Sequence, residues 1–381
     1  MALEIERVET KKQLQEFIRV PWAVYQNDRR WVPWLYFERL EFFDKTKNPF
    51  FEHAEADYFI ARRDGRPIGS IAAILNHRHN EFHQENVAHF GVFELLNDAE
   101  AGAALLDTAC TWARAKGVDR ILGPMNLCTN DECGTLIEGF DSPPVILMTY
   151  NPPYYIDILE AAGFTKAMDL LAWNNDIANT VTNMPEKVVR VIHKVKDRYK
   201  LHIRPVNMKE WDAEIERVEK IYNSAWERNW GFVPMTDKEI KRLADSLKPV
   251  IEPRLAFIVE KEGEAVGFSL SVPDVNQVLN RLRPGATVLG SYLGAVRMLL
   301  NKRKTDRIRV IALGVIESYR GQGIDALMYY HTAKAAHDLG YRWAEASWIL
   351  ETNDKMNRPI ALLGSEVYKK YRIYEKELRN A

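Results

Sequence analysis

Residues 314–330 read GVIESYRGQGIDALMYY, the end of a strand that enters a helix through a glycine-rich turn. Gly321 and Gly323 allow the backbone to come close to a ligand, and the N–H groups of a first helical turn have no partners within the helix. The helix dipole adds partial positive charge at the same place. The stretch therefore predicts an anion site, to which Arg320 adds a charged donor.

Other binding functions are disfavoured by the rest of the sequence. The glycine spacing differs from the dinucleotide-binding pattern and from the P-loop. A net charge of −1 gives no concentrated basic surface for nucleic acid. Cys110, Cys128 and Cys133 lack zinc-site spacing and cannot all pair, so we expect no metal and a reducing cytoplasm. We expect neither a signal peptide nor a membrane-spanning helix, because no apolar run is long enough.

The sequence contains an internal repeat. Residues 59–73, FIARRDGRPIGSIAA, align without gaps with residues 257–271, FIVEKEGEAVGFSLS, at an offset of 198. Each segment predicts a hairpin whose turn carries a glycine, Gly65 or Gly263. A strand, a helix that ends at a glycine and a further strand follow in both halves. Ordered repetition of this kind predicts two tandem copies of one unit.

The predicted fold class is α+β, with two tandem domains that each hold a mixed central sheet flanked by helices. We expect a first domain at 1–175, a linker with a helix at 176–200, and a second domain at 201–381. The linker helix should begin after Pro185, since proline suits a first helical position. The second domain carries an insertion at about 274–304.

The loop resembles the acyl-CoA loop of the GNAT acyltransferase superfamily, whose pattern is Arg/Gln-x-x-Gly-x-Gly/Ala. The resemblance implies a splayed sheet in each domain, an acyl-CoA or acyl-phosphopantetheine co-substrate and no permanently bound cofactor. It also implies an amine acceptor. The donor-binding residues that it implies are Val315, Arg320, Gly321, Gln322, Gly323, Ile324, Asp325 and Asn357.

Acidic residues depart from this pattern in both halves. The first half has Asp98 and Glu100 at the corresponding turn, which predicts a degenerate copy without a donor loop. In the second half, Asp325 replaces the family's Gly/Ala. A carboxylate about 4 Å from a phosphate costs roughly 4 kcal/mol at an effective dielectric of 20. Asp325 therefore points away, bonds a ribose or backbone group, or faces acyl carrier protein, which presents a single phosphate.

Acyl transfer to an amine requires proton transfers. The family's tyrosine lies seven residues after an asparagine, but the residue seven after Asn357 is Gly364, so that tyrosine is absent. Tyr368, Tyr371 and Tyr374 lie farther along the chain, and Tyr368 is named as the candidate acid. By the period-two rule, Glu345 and Glu351 share a strand face. We expect Glu351 to be the base, with Glu345 as the second candidate.

The insertion suggests a lipid substrate. An apolar stretch follows Pro284 and ends in Lys302–Lys304, so residues 285–304 fit a tunnel lining, peripheral membrane contact or a helix over a sheet edge. Together with the similarity to lipid-handling tandem members, this favours a long-chain substrate, as in the GNAT-type bacterial ceramide synthases. A non-catalytic acyl-thioester sensor is the alternative. His77, His79 and His83 are expected in a solvated loop.

Overall fold

The computed structural model of the protein describes residues 2–378, and the same order of helices and strands occurs in it twice. The elements before the linker are β1 (Leu3–Arg7), α1 (Lys11–Val24), α2 (Tyr36–Phe42), β2 (Ala54–Arg63), β3 (Arg66–Asn76), α3 (His77–His83), β4 (Val87–Leu95), α4 (Ala99–Ala115), β5 (Arg120–Gly123), β6 (Thr135–Glu138), α5 (Tyr154–Ala161) and β7 (Thr165–Asp176). The remaining elements are α6 (Ile177–Asn183), α7 (Glu186–Arg198), β8 (Leu201–Pro205), α8 (Trp211–Trp226), α9 (Asp237–Leu247), β9 (Ala256–Lys261), β10 (Glu264–Pro273), α10 (Asn276–Leu282), α11 (Val288–Asn301), β11 (Arg307–Val315), α12 (Ile324–Asp338), β12 (Trp343–Leu350), α13 (Asp354–Leu362) and β13 (Glu366–Glu377).

Both predicted hairpins are present, and their turns have the same backbone conformation. Asp64 and Gly65 join β2 to β3 with φ of 50° and 77°, while Glu262 and Gly263 join β9 to β10 with φ of 54° and 87°. Two consecutive residues with positive φ form the turn whose twist matches that of the flanking strands. The α+β fold class and the tandem repeat are therefore confirmed.

Each copy is built on a mixed sheet. Strands β1 to β4 are antiparallel neighbours, and β5 lies parallel to β4. In the second copy β8 to β11 are antiparallel neighbours, and β12 lies parallel to β11. Alternate residues of β2 face opposite sides, since Phe59 packs with α4 and α5 while Tyr58 packs with α1 and α2. Helices thus cover both faces of the first sheet.

The chain forms two compact units that are discontinuous in sequence. The first contains the residues up to Leu170, Leu279–Met298 and the residues from Lys369 onward. The second contains Leu171–Val278 and Leu299–Tyr368. Most of β13 belongs to the first unit, where it pairs with β5 and β6. Limits of 1–175 and 201–381 remain our prediction for the extent of the two repeated copies.

The parallel strands pair over a short distance in each copy. In the second copy the register runs from Arg307↔Trp343 to Val310↔Ala346. Both strands continue beyond it, β11 to Val315 and β12 to Leu350, and this divergence is the splay of the sheet. The pairing of β10 with β11 also shifts register here, between Leu270 and Ser271.

In the first copy, the chain after β5 fills the corresponding gap. The Met125 N–H donates to the Phe90 carbonyl at 2.7 Å, and Asn126 accepts a bond from the Val92 N–H at 2.8 Å. A Cβ on Gly91 would lie 1.7 Å from the Met125 carbonyl oxygen, so only glycine permits this approach. Backbone therefore lies against the end of β4 in the first copy.

Candidate functional site

The predicted anion loop connects β11 to α12 in the second unit. A short turn at Glu317–Tyr319 follows the strand, and Gly321 and Gly323 have φ of 71° and 81°. A side chain at Gly321 would meet nothing within 4 Å, so its glycine is needed for conformation alone. A Cβ at Gly323 would lie 3.2 Å from Val195, so packing also restricts that position.

Arg320 and Gln322 brace this loop. The Arg320 guanidinium donates to the carbonyls of Val315 (3.4 Å), Ser224 (2.8 Å) and Ala225 (3.1 Å), and so ties the loop to the last turn of α8. Gln322 donates to the Ser318 carbonyl at 3.1 Å. These contacts fix the loop in position, and the N–H groups of the first turn of α12 have no partner within the helix.

Asp325 lies exposed in the first turn of α12, on the same helix face as Tyr329. Burial raises the pKa of the Tyr329 phenol, and the negative charge of Asp325 raises it further. The Tyr329 hydroxyl donates to the sulfur of Met356 at 3.0 Å. Asp325 therefore lies on the side of the helix that packs toward α13.

Two of the predicted catalytic residues are in direct contact. The Tyr368 hydroxyl, at the start of β13, donates a hydrogen bond to the Glu345 carboxylate, and the Ser347 hydroxyl donates to the other oxygen of the same carboxylate. Glu345 is only 1% exposed. Arg309 donates from Nε to the Ser347 hydroxyl at 3.0 Å and from its guanidinium to the Ser347 carbonyl at 3.2 Å. These four side chains form what we call the fork cluster.

The fork cluster lies where β11 and β12 stop pairing. Arg309 and Glu345 are register partners, one position before the last pair of the parallel register. Sequence reasoning missed Arg309 and Ser347. Two signals were present, since Ser347 shares the strand face of Glu345 and Arg309 is an arginine within the mostly apolar strand RIRVIALGV.

Glu351 and Asn357 lie at the far end of β12, outside the fork cluster. Asn357 donates to the carbonyls of Leu350 (2.9 Å) and Glu351 (3.3 Å) and accepts a bond from the Trp173 indole at 3.0 Å. Its side chain therefore fastens α13 to the end of the strand. Glu351 is half-buried in the turn that follows the strand.

Helix α4 of the first copy corresponds to α12, and Asp98 caps its N-terminus. The Asp98 carboxylate accepts a bond from the Ala101 N–H at 3.0 Å, which satisfies a first-turn donor of α4. Arg63 forms ion pairs with Asp98 at 2.7 Å and with Glu100 at 2.8 Å. Carboxylates and their arginine thus occupy the N-terminus of this helix, as expected for a degenerate copy.

The histidine segment is not a solvated loop, so that expectation is wrong. Residues 77–83 form α3, and His79 is buried, with its ring centre 4.7 Å from that of His89. Asn76 caps this helix by accepting a bond from the His79 N–H, which supplies the local reason that it forms. Within residues 2–378, no group of three or more His, Cys, Asp or Glu side chains has the arrangement of a metal site.

Comparison with known proteins gives two relatives that match over nearly their whole length, while no protein-family model matches the chain. It is 33% identical to the bacterial ceramide synthase of Caulobacter vibrioides over 381 residues, which covers 99% of this chain and 98% of that protein. It is 32% identical to the protein YghO of Escherichia coli over 372 residues, which covers 97% and 94%.

Solved structures share the fold. A tandem GNAT protein from the clavulanic acid biosynthesis pathway superposes with a TM-score of 0.55 at 13% identity and covers 100% of both chains. A GCN5-related N-acetyltransferase from Sphaerobacter thermophilus gives a TM-score of 0.51 at 14% identity and covers 100% of this chain and 96% of its own. The two copies therefore have the tandem GNAT fold.

Proposed function

Because the chain belongs to the GNAT acyltransferase superfamily as a tandem member, in the family of the Caulobacter bacterial ceramide synthase and YghO, we propose that it transfers an acyl group from acyl-CoA to an amine. The observation that carries the proposal is the fork cluster, which holds a buried carboxylate and a phenol at the splay of the second sheet. The glycine loop that follows β11 supplies N–H groups for the donor phosphates.

The fork cluster contains the groups that this reaction needs. The amine nitrogen attacks the thioester carbonyl, the carbon–sulfur bond breaks, and one N–H proton must end on the departing sulfur. In our proposal Glu345 accepts the amine proton and Tyr368 donates its hydroxyl proton to the thiolate. The proton then passes from Glu345 to Tyr368 along their hydrogen bond, which restores both groups. Glu351, the first candidate from the sequence, becomes the second candidate base here because it lies outside the fork cluster.

The relatives and the insertion support a proposal for the substrates. A relative named ceramide synthase supports a long-chain amine as acceptor and a long acyl chain on the donor. Exposed Asp325 is compatible with CoA, and also with acyl carrier protein, which presents one phosphate instead of a diphosphate. The three cysteines are buried and form no disulfide among residues 2–378, which is compatible with the reducing cytoplasm that we propose. Contact of residues 285–304 with a membrane surface is part of the same proposal.

A direct assay tests the proposal. The full chain is incubated with palmitoyl-CoA or acetyl-CoA and a sphingoid long-chain amine, and the amide and the free thiol are quantified together. We expect amide and thiol in equal amounts with palmitoyl-CoA, and loss of both in Glu345→Gln. Absence of amide with either donor and with palmitoyl acyl carrier protein would overturn the proposal.

The second candidate function is a non-catalytic acyl-thioester binder. One observation favours it, namely that Gly364, a residue with φ of 79°, stands seven residues after Asn357 where the family's tyrosine would be. This candidate predicts that palmitoyl-CoA raises the unfolding temperature while no amine is acylated. The assay above combined with a thermal shift therefore separates the two functions.

A further inference from the structure

Helix α11 presents large apolar side chains outward and small or flexible ones inward. Its buried residues are Ser291, Gly294 and Met298. Among residues 2–378 twelve large apolar side chains are exposed, and this 14-residue helix carries seven of them. The seven are Val288, Leu289, Tyr292, Leu293, Val296, Leu299 and Leu300. Such a distribution is the reverse of an ordinary surface helix.

These seven positions form one continuous face. At about 100° per residue they span an arc of about 140°, with no charged residue inside it. Leu289 is 72% exposed and Leu300 is 79% exposed, so whole side chains stand in water. A contiguous apolar patch of this kind marks a binding surface, because leaving it in water is unfavourable.

Up to Met298, the inner face of the helix packs within the first unit. A Cβ on Gly294 would lie 2.8 Å from the Pro284 ring, so the helix approaches that segment closely. Tyr292 of the outer face, although 52% exposed, stacks one side of its ring on Phe37 with 4.2 Å between centroids and 1° between planes. The orientation of α11 is therefore fixed, and its outer face is presented as a built surface.

The charge of the surrounding sequence indicates what kind of partner binds this face. Between Asp274 and Asp306 the chain has no acidic residue and six basic ones. The six are Arg281, Arg283, Arg297, Lys302, Arg303 and Lys304. This +6 segment belongs to a chain whose net charge is −1, so positive charge is concentrated in the sequence on either side of α11. Basic residues that flank an exposed apolar helix attract an anionic lipid surface and repel a second copy of the same segment.

We propose that the outer face of α11 docks on an anionic lipid bilayer, with the apolar arc in the interfacial region and the exposed basic residues Arg297, Arg303 and Lys304 on the lipid headgroups. A helix of 14 residues lies in the interface and does not cross it. The docking deepens the proposed function, and its role in delivering a long-chain amine rests on that function. The docking itself is a property of the surface and needs no acyl donor.

Vesicle flotation of the full chain tests the proposal without donor or amine, so its failure is independent of any failure in the acyl-transfer assay. We expect binding to phosphatidylcholine vesicles that contain phosphatidylglycerol, and at least about tenfold weaker binding to phosphatidylcholine alone. Leu289→Ser combined with Leu293→Ser should abolish binding. Arg303→Glu combined with Lys304→Glu should weaken it about tenfold and remove most of its salt dependence.

Leu362→Ser is the matched control, because Leu362 is 87% exposed but lies on α13. It should bind as the unmodified chain does, and circular dichroism should show all variants folded, since every altered side chain is exposed. Absence of binding to any vesicle, or binding that the Leu289/Leu293 variant retains, would overturn the proposal. If the chain does not bind vesicles but forms a dimer, and the Leu289/Leu293 variant is monomeric, the face binds a second copy of the chain. That result would also overturn the proposal.

Discussion

Tyr368 donates a hydrogen bond to Glu345, so a phenol at the start of β13 is held by a carboxylate that is buried in β12. Ser347 holds the second oxygen of that carboxylate, and Arg309 holds Ser347. The carboxylate therefore has a fixed position at the point where the parallel strands separate. A proton-transfer pair in this place gives the second copy its proposed chemistry.

Removal of the phenol hydroxyl should slow acyl transfer without weakening donor binding. We expect Tyr368→Phe to lower kcat by about 10²- to 10⁴-fold, the usual effect of losing a positioned proton donor. The KM for palmitoyl-CoA should change little, because the donor loop is untouched. Tyr199→Phe is the control, since Tyr199 is half-buried outside the fork cluster. An unchanged kcat in Tyr368→Phe would mean that a group other than Tyr368 donates the proton.

The glycine loop can be tested with a matched pair of substitutions on one helix. Gly321 precedes α12 and Gly340 follows it, both have positive φ (71° and 85°), and a Cβ at either would meet nothing within 4 Å. Alanine at either site should lower the free energy of unfolding by about 1 kcal/mol. Only Gly321→Ala should also weaken CoA binding, measured as the loss of the thermal shift that CoA produces. If CoA raised the unfolding temperature of both variants equally, that result would argue against donor binding at this loop.

Neutralising Asp325 should tighten donor binding. The side chain is exposed near the N-terminus of α12, so its repulsion of a phosphate is screened by solvent. We expect Asp325→Asn to lower the Kd for CoA about two- to fivefold at low salt, measured by calorimetry, with the effect fading at high salt. Asp338→Asn at the other end of α12 should leave the Kd unchanged. A weaker Kd in Asp325→Asn would instead indicate a hydrogen bond from the donor to this carboxylate.

The sequence predicted local structure well, because local signals produce it. The glycines at 65 and 263 predicted both hairpin turns, and Pro185 predicted the start of α7. Contacts between distant strands could not be predicted in the same way. Glu345 and Tyr368 were each predicted, but their contact depends on where β13 runs, and most of that strand joins the first unit. Arg309 was missed for the same reason, since only the parallel register places it beside Glu345.

A buried carboxyl in the first unit should make the stability of the protein depend on pH on the alkaline side. Burial raises the pKa of Glu94 from 4.5 to about 8, although Tyr25 and Tyr155 donate hydrogen bonds to it at 2.6 and 3.1 Å. Glu94 is thus protonated in the folded state below about pH 8, whereas in the unfolded chain it ionises near 4.5. Stability from this group is complete below pH 4.5 and is lost as the pH rises toward 8.

Glu94→Gln should remove that loss while it keeps an oxygen for the two phenols. Between pH 5 and 8, the free energy of unfolding of the variant should rise relative to that of the unmodified chain by up to about 1.4 kcal/mol per pH unit, measured by urea unfolding. A stability difference that is the same at pH 5 and pH 8 would show that Glu94 is already ionised in the folded protein.

Buried histidines should produce the opposite dependence on the acid side. Burial lowers the pKa of His79 from 6.5 to about 3, and burial also lowers the pKa of His89 well below 6.5. Neither ring nitrogen of His89 has a hydrogen-bond partner among residues 2–378. Both imidazoles are therefore neutral in the folded protein, while the unfolded chain protonates them below pH 6.5. Stability should fall as the pH drops from 6.5 toward 3.

His89→Phe keeps the ring size and removes both unpaired nitrogens, so it should raise the free energy of unfolding by about 1–3 kcal/mol at pH 7. It should also reduce the acid sensitivity by about 1.4 kcal/mol per pH unit below 6.5. His77→Gln is the control, because His77 is exposed and pairs with Glu55 at 3.1 Å. Urea unfolding between pH 4.5 and 7.5 measures both slopes. An acid dependence that persists undiminished in His89→Phe would mean that His89 is charged or solvated in the folded protein, contrary to its burial.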